Sequence, residues 1–402
     1  MKYLILVPDG VADLPVKELN NKTPLEVARK PNIDNLTKIG CSGLMETIPD
    51  GFPAGSEVAN LSILGYSPKK YYQGRGSLEA ASLGINLESD DLVFRCNTVF
   101  VENGIMISHS AGHITSEESE ELIEFLNVKL SSQSIKFYHG LDYRHILVLK
   151  GQFSPEVECF PPHDNVRKSV NSILPKGLSG AGEKTAETLR YLIKESEALL
   201  KNHPVNLKRI ASEKQPGNLI WPWSPGRKPS MEPISKKFGI TGAVISAVDL
   251  VKGIGIYAGF DVINVKGATG LYNTNYEGKA YAAIEALNKY DLVYVHVEAP
   301  DEAAHEGNLK LKIKCIEDFD AKLVGIIVKN VDLNKTCIAV VPDHFTPVSQ
   351  RSHSNQKVPF VIYRPDLKPD HISFFSEKEC ADGAFGVIKE DMFIKILLGK
   401  SP

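Results

Sequence analysis

Thr336 to His353 reads TCIAVVPDHFTPVSQRSH, and it places one carboxylate and two imidazoles, Asp343, His344 and His353, within eleven residues. These oxygen and nitrogen donors are the ones that hold divalent transition metals. The stretch opens with a β-branched apolar run, Cys337 to Val341, closed by Pro342. That run is too short for a helix and predicts a buried strand. Asp343 and His344 then stand just past a strand's carboxyl end, where open α/β sheets bind their ligands. An ordinary polar loop fits the same residues, so this segment alone is at most half of a metal site.

Three other stretches offer matching chemistry. Tyr3 to Val7 is an apolar run ending in Pro-Asp-Gly, so Asp9 lies at a strand end as Asp343 does. In GFPAGSEVANLSILGY, Gly51 to Tyr66, Ser56 stands at a helix start. There it is either a simple N-cap or a group beside which unpaired N–H donors and a positive dipole end stabilise a phosphate. After a predicted strand at Leu292 to Val297 comes EAPDEAAHEG, in which Asp301 and His305 are four apart and share one helical face. They are either a surface pair or two more ligands. Asp9, Ser56, Asp301, His305, Asp343, His344 and His353 together are the donors two neighbouring divalent ions need, each with a position left open for substrate. Mixed Asp and His ligands suit manganese, zinc or cobalt, and the oxygen donors also admit magnesium.

The elements that position these groups follow from length and patterning. A chain of 402 residues exceeds what one core usually serves, so two domains are expected. With 43% hydrophobic and 24% charged residues and a net charge of −3, the composition is that of a globular protein without a nucleic-acid footprint. Cys41, Cys96, Cys159, Cys315, Cys337 and Cys380 are scattered, form no CxxC pair and fit free thiols in a reducing compartment. The first apolar run is too short for a signal segment, and none approaches the roughly 20 residues of a membrane span. A soluble cytoplasmic protein is the expectation.

Along the chain, Thr23 and Pro24 open a helix, and Leu92 to Val101 reads as a long strand. Thr115 and Glu118 form a capping box, a strand falls near His145 to Leu149, and Ala186, Leu189, Ile193 and Leu200 lie at helical spacing. From Asn202 to Pro233 the chain is rich in Pro and Gly and reads as a linker between domains. Strands at Ala243 to Ala247 and Asp261 to Val265 and a helix at Tyr276 to Asn288 restore the α/β pattern.

VPDG, GSEVANLSILGY, EAPDEAAHEG and VPDHFTPVSQRSHSNQKVPFVIY, in this order from end to end, resemble the alkaline phosphatase superfamily. Within it, they resemble the cofactor-independent phosphoglycerate mutases of the shorter, archaeal type. The resemblance implies an α/β fold, a three-layer core with a central, mostly parallel sheet, interrupted by a smaller inserted α+β domain. Residues 1–84 and 234–402 would form the metal domain and 85–233 the insert. It also implies interconversion of 3- and 2-phosphoglycerate in glycolysis and gluconeogenesis, without 2,3-bisphosphoglycerate. Ser56 would be the phosphorylated nucleophile, with one metal, manganese foremost, on Asp9, Ser56, Asp343 and His344. Asp301, His305 and His353 would hold the other. The insert would close over glycerate and exclude water. Gripping a carboxylate and a phosphate calls for cations, and the candidates are His109, Arg144, His145, His163 and Arg227, with Arg75 near the hinge. Asp164 could orient His163. A phosphopentomutase or a metal-dependent phosphohydrolase would share the two-metal core, and a binding protein without activity would be expected to have lost ligands from it. Nothing in the chain points to an oligomeric state.

Overall fold

A strand apolar on both faces needs cover on both sides. In the computed structural model, which describes residues 1–400, the first such run lies in the middle of an eight-stranded sheet. The strands follow the order Asp261–Val262, Gly242–Ile245, Leu292–Val297, Lys2–Pro8, Thr336–Val340, Val358–Tyr363, Cys41–Met45 and Val387–Ile388. The first five are mutually parallel, Val358–Tyr363 runs antiparallel to both neighbours, and Val387–Ile388 pairs parallel with Cys41–Met45. Leu6 is opposite Val295 on one side and Val340 on the other, so the three central strands end level with one another. Their buried side chains, among them Leu4, Val293 and Ile338, pack with Ile316, Phe319 and Ile327 from the helical layer. Burying each large apolar side chain contributes about 1.5–3 kcal/mol, the reserve against which buried charge at the strand ends is set.

The chain divides into two compact units, residues 1–72 with 231–402, and residues 73–230. The first boundary thus falls after Tyr72 rather than after Gly84. The reason is the helix Arg75–Ser82, which belongs to the second unit's packing. A Cβ on Gly76 would lie 2.9 Å from the Val93 carbonyl oxygen, Glu79 pairs with Arg95 at 3.0 Å, and Ala80 joins Val93, Ile146 and Val148 in one cluster.

The second unit is α+β. Leu92–Glu102 pairs antiparallel with Ile105–Ser108, Arg144–Leu149 and Leu219–Arg227, and Ile135–Tyr138 extends the sheet beyond Arg144–Leu149. The helices Ser116–Leu130 and Gly180–Leu200 lay Leu122, Leu126, Leu189 and Leu192 against Phe94 and Leu147. Both halves of the Thr115–Glu118 capping box are present. The stretch 202–233, expected as a linker, instead contains the helix Pro204–Ala211 and the strand Leu219–Arg227. Pro222 and Pro225 disguise that strand, and they are tolerated because it pairs with one neighbour only. Among the described residues, no helix is long and apolar enough to cross a membrane.

His145 lies in this second core, 1% exposed. Its Nδ1 accepts from the Gly140 N–H at 3.3 Å, which leaves Nε2–H to donate to Thr98 Oγ1 at 2.9 Å. Burial pushes the imidazole down to about 3. The unfolded chain therefore takes up a proton below about pH 6.5 that the folded chain refuses. The stability that His145 contributes is fully present above that pH and is lost on acidification toward pH 3, at about 1.4 kcal/mol per pH unit. Both tryptophans, Trp221 and Trp223, lie in this unit. Urea unfolding followed by their fluorescence at pH 7 and pH 5 should show a steeper loss of stability in the wild type than in His145→Asn; equal losses would refute the assignment.

Candidate functional site

Three level strand ends carry three carboxylates. Asp9 follows Lys2–Pro8, Asp343 lies just beyond Thr336–Val340, and Asp301 sits in the helix Ala299–His305 that follows Leu292–Val297. All three are buried, at 1%, 0% and 4% exposure. Gly10 makes the convergence possible. At φ +58° its N–H donates to Asp343 Oδ1 at 3.1 Å, and a Cβ there would meet Asp301 Oδ1 at 2.3 Å. Ser56 opens the eight-residue helix Ser56–Ile63, with Gly55 as the N-cap, so Ser56 is not the cap itself.

The donor atoms lie at separations typical of a coordination sphere. Ligands about 2.0–2.2 Å from one metal stand roughly 3.0–3.5 Å from each other. Ser56 Oγ is 3.1 Å from His344 Nε2, which is 3.4 Å from Asp343 Oδ2 and 3.6 Å from Asp9 Oδ1. His305 Nε2 is 3.1 Å from Asp301 Oδ2 and 2.9 Å from His353 Nε2, and His353 Nε2 is 3.5 Å from Asp301 Oδ1. His305 Nδ1 faces the Arg351 carbonyl oxygen at 3.0 Å, so that nitrogen carries the proton and Nε2 is the one free to ligate. All seven residues singled out for chemistry are thus brought together in one unit. The ring of His344 also lies 4.0 Å from that of His353, and Asp301, His344 and His353 form a compact donor group of their own. His344 thus belongs to the first set and also borders the second.

Burial pushes the Asp9 carboxyl well above the usual carboxylate range, and the neighbouring Asp343, Asp301 and Glu298 push it further. Burial opposes ionisation of Asp301 too, but hydrogen bonds from His305 and His353 prevail and hold it well below that range. The hydrogen bond to Asp301 in turn lifts His305 to about 9. Four carboxyl groups, those of Asp9, Asp301, Asp343 and Glu298, are concentrated here. Asp9 Oδ1 and His296 Nε2 are buried with no hydrogen-bond partner among the described residues, although His296 Nε2 comes within 3.0 Å of Asp9 Oδ2. Orphaned, converging donors of this kind fit bound cations. Two clusters of buried Asp and His, around Asp301 and around Asp9 with Asp343, are compatible with a two-metal site.

Several members of the site carry no local signal in the chain. His296 is an interior residue of the strand Leu292–Val297, fully buried, and forms a donor group with Asp9 and Asp343. Glu298, which burial and then Asp301 raise to about 8, forms another with Asp9 and Asp301. Asn60 donates to Asp343 Oδ2 at 3.2 Å and to the Ser56 carbonyl at 2.8 Å, and accepts from the Tyr294 hydroxyl. Thr346 donates to Asp301 Oδ1 at 2.5 Å. Lys312, fully buried, ties Asp13 at 2.8 Å to the Thr346 carbonyl at 2.9 Å. The one usable clue was that Asn60 lies four residues after Ser56, on the same helical face.

The second unit holds a separate cationic group. Arg95 stacks over Trp223 at 4.3 Å, and burial lowers its guanidinium's pKa, with Arg75 and Arg144 close enough to add to the effect. His163 packs against Trp223 at 5.3 Å and His109 at 6.3 Å, and His109 packs edge-on to Tyr143 at 5.6 Å. Arg75, Arg144, His109 and His163 are thus gathered around Arg95, which has no motif to mark it. His145 is excluded from that role by its own bonds within the core. Arg227 spends its guanidinium on the carbonyls of Asp90 and Phe153, bracing the fold. Asp164 approaches His163 only to 3.8 Å.

Comparison with known proteins agrees with this geometry. The family model described as 2,3-bisphosphoglycerate-independent phosphoglycerate mutase matches residues 37–206. The mutase of that name from Methanosarcina acetivorans is 48% identical over 401 residues, 99% of this chain and 100% of the relative. A probable mutase of the same kind from Geobacter sulfurreducens is 45% identical over 399 residues, 98% of each. Among solved structures, a protein from Pyrococcus horikoshii superposes with a TM-score of 0.85 at 32% identity, covering 100% of this chain and 98% of the other. The cofactor-independent phosphoglycerate mutase from Thermoplasma acidophilum does so with a TM-score of 0.70 at 27% identity over 99% of each. End-to-end identity of this order, carried on the alkaline-phosphatase-like fold and its paired Asp and His clusters, means that the chain belongs to the 2,3-bisphosphoglycerate-independent phosphoglycerate mutase family.

Proposed function

We infer that the chain interconverts 3-phosphoglycerate and 2-phosphoglycerate by way of a phosphoserine at Ser56, in a site built for two divalent cations. The observation that carries this reading is Ser56 Oγ at a helix N-terminus, 3.1 Å from His344 Nε2 and beside the buried carboxylates. Asp9, Ser56, Asp343 and His344 are the proposed ligands of one cation, and Asp301, His305 and His353 of the other. Manganese is the metal proposed, one of those that mixed Asp and His donors suit. Cations bound there acidify the serine hydroxyl and neutralise charge on the phosphoryl oxygens.

The chain's own groups do the rest. Ser56 Oγ attacks phosphorus, the bond from phosphorus to O3 breaks, and O3 leaves as a hydroxyl. The first-turn N–H groups of the helix Ser56–Ile63 stabilise the phosphoserine. The O2 of glycerate then attacks the same phosphorus and releases Ser56, so bonds and protons balance over the cycle. Arg75 and Arg144 are the proposed source of the positive charge that a carboxylate calls for, with Arg95 held beside them by Glu79. Six free cysteines, most of them buried, favour placing the protein in the reducing cytoplasm.

Purified, manganese-loaded protein should convert 3-phosphoglycerate without added 2,3-bisphosphoglycerate and release little free phosphate. Ser56→Ala should lower that conversion on the order of a thousandfold or more. Free phosphate as the main product would make the enzyme a hydrolase. Arg144→Gln removes the charge of an exposed side chain. It should raise KM about tenfold, the worth of one charged hydrogen bond, with manganese stoichiometry unchanged; an unaltered KM would take Arg144 out of substrate binding.

A further inference from the structure

The hydroxyl of Thr346 has one proton and two neighbours that compete for it. Asp301 Oδ1 lies 2.5 Å away and His344 Nδ1 lies 3.1 Å away, and all three residues are buried. The shorter contact is to the carboxylate, the stronger acceptor of the two, and the hydroxyl proton goes there. Thr346 Oγ1 then has only lone pairs to offer His344, so Nδ1 must carry its own proton and donate. That fixes the tautomer: Nε2 is bare, and it is the atom facing Ser56 Oγ at 3.1 Å. In the opposite tautomer Thr346 would have to give its proton to Nδ1, leaving a bare hydroxyl oxygen against a carboxylate oxygen at 2.5 Å, which is repulsive. The same lone pair is required whether Nε2 accepts from the serine or ligates a cation beside it.

The surroundings leave the hydroxyl little freedom to choose otherwise. The Thr346 N–H donates to the Ala12 carbonyl at 3.1 Å, and its own carbonyl accepts from Lys312 at 2.9 Å. A Cβ on Gly10 would lie 2.6 Å from Thr346 Oγ1, so only glycine leaves room for that oxygen between the two groups. We propose that Thr346 is a positioning residue that sets the His344 tautomer from Asp301 and thereby couples the two halves of the metal site through one hydroxyl. This rests on the assignment of Ser56 and His344 to the reacting centre. Thr346 touches no reacting atom and acts through the two side chains it bonds, His344 and Asp301.

The test reads the tautomer and the turnover separately. In the full-length, metal-free chain with nitrogen-15 histidine, the His344 resonances, assigned by His344→Asn, should show the proton on Nδ1 in the wild type and in Thr346→Ser. In Thr346→Val, which keeps the shape and removes the hydroxyl, the proton should move wholly or partly to Nε2. With manganese loaded, Thr346→Val should lose about 10–100-fold in kcat, the usual effect of removing a ligand's orienting partner, with KM nearly unchanged. Thr346→Ser should recover most of it. Persistence of the Nδ1 proton in Thr346→Val overturns the proposal, as does a serine variant as impaired as valine or a loss confined to KM. Thr346→Ala, read in the same way, serves if valine does not fold. Failure of the mutase reading itself is reported by Ser56→Ala, and the tautomer signal stands independently of it.

Discussion

Buried negative charge at the ends of three adjacent parallel strands is the constraint on which the rest of this structure depends. Asp9, Asp301 and Asp343 are all but removed from water. Carboxylates so placed are costly unless hydrogen-bonded or matched by cations. Each responds in its own way. Asp301 draws two imidazoles to itself, Asp343 accepts the N–H groups of Gly10 and His344, and Asp9 keeps an oxygen without a partner and resists ionisation. A sheet optimised for stability alone would place apolar residues at these positions. The cluster makes sense as a receptacle whose missing positive charge arrives with bound metal ions.

Holding such a cluster requires rigidity around it. The Lys312–Asp13 pair is itself fully buried, and it binds the loop after Lys2–Pro8 to the loop after Thr336–Val340. Asn60 ties the serine helix to Asp343, and Tyr294, from the strand Leu292–Val297, holds Asn60. The donor atoms are thus fixed by side chains that ligate nothing themselves, the arrangement that gives metal ligands their orientation.

What the chain announces and what it conceals divide along physical lines. A buried parallel strand is a continuous apolar run, and the residue just past it is exposed to the site, so Asp9 and Asp343 could be read from Tyr3 to Val7 and Cys337 to Val341. Helical spacing did the same for Asp301 and His305. Residues whose partners are distant in sequence left no trace. Thr346 and Lys312 look like an ordinary loop threonine and a surface lysine, and His296 like a polar interruption in a strand, until the fold brings Asp301, Asp13 and Asp9 to them. In the second unit, prolines hid the strand Leu219–Arg227 and so hid the sheet that gathers Arg95 and Trp223. His145 was legible as a histidine but not as a core residue, because burial is decided by the sheet and not by its neighbours in the chain.

The measurement that bears most directly on the whole account is rapid-quench mass spectrometry of the manganese-loaded protein while it turns over 3-phosphoglycerate with no added 2,3-bisphosphoglycerate. The account predicts a phosphoryl group on the peptide containing Ser56, formed at least as fast as 2-phosphoglycerate appears and on no other residue. Turnover with Ser56 unmodified, or with the phosphoryl group on a different side chain, would contradict it.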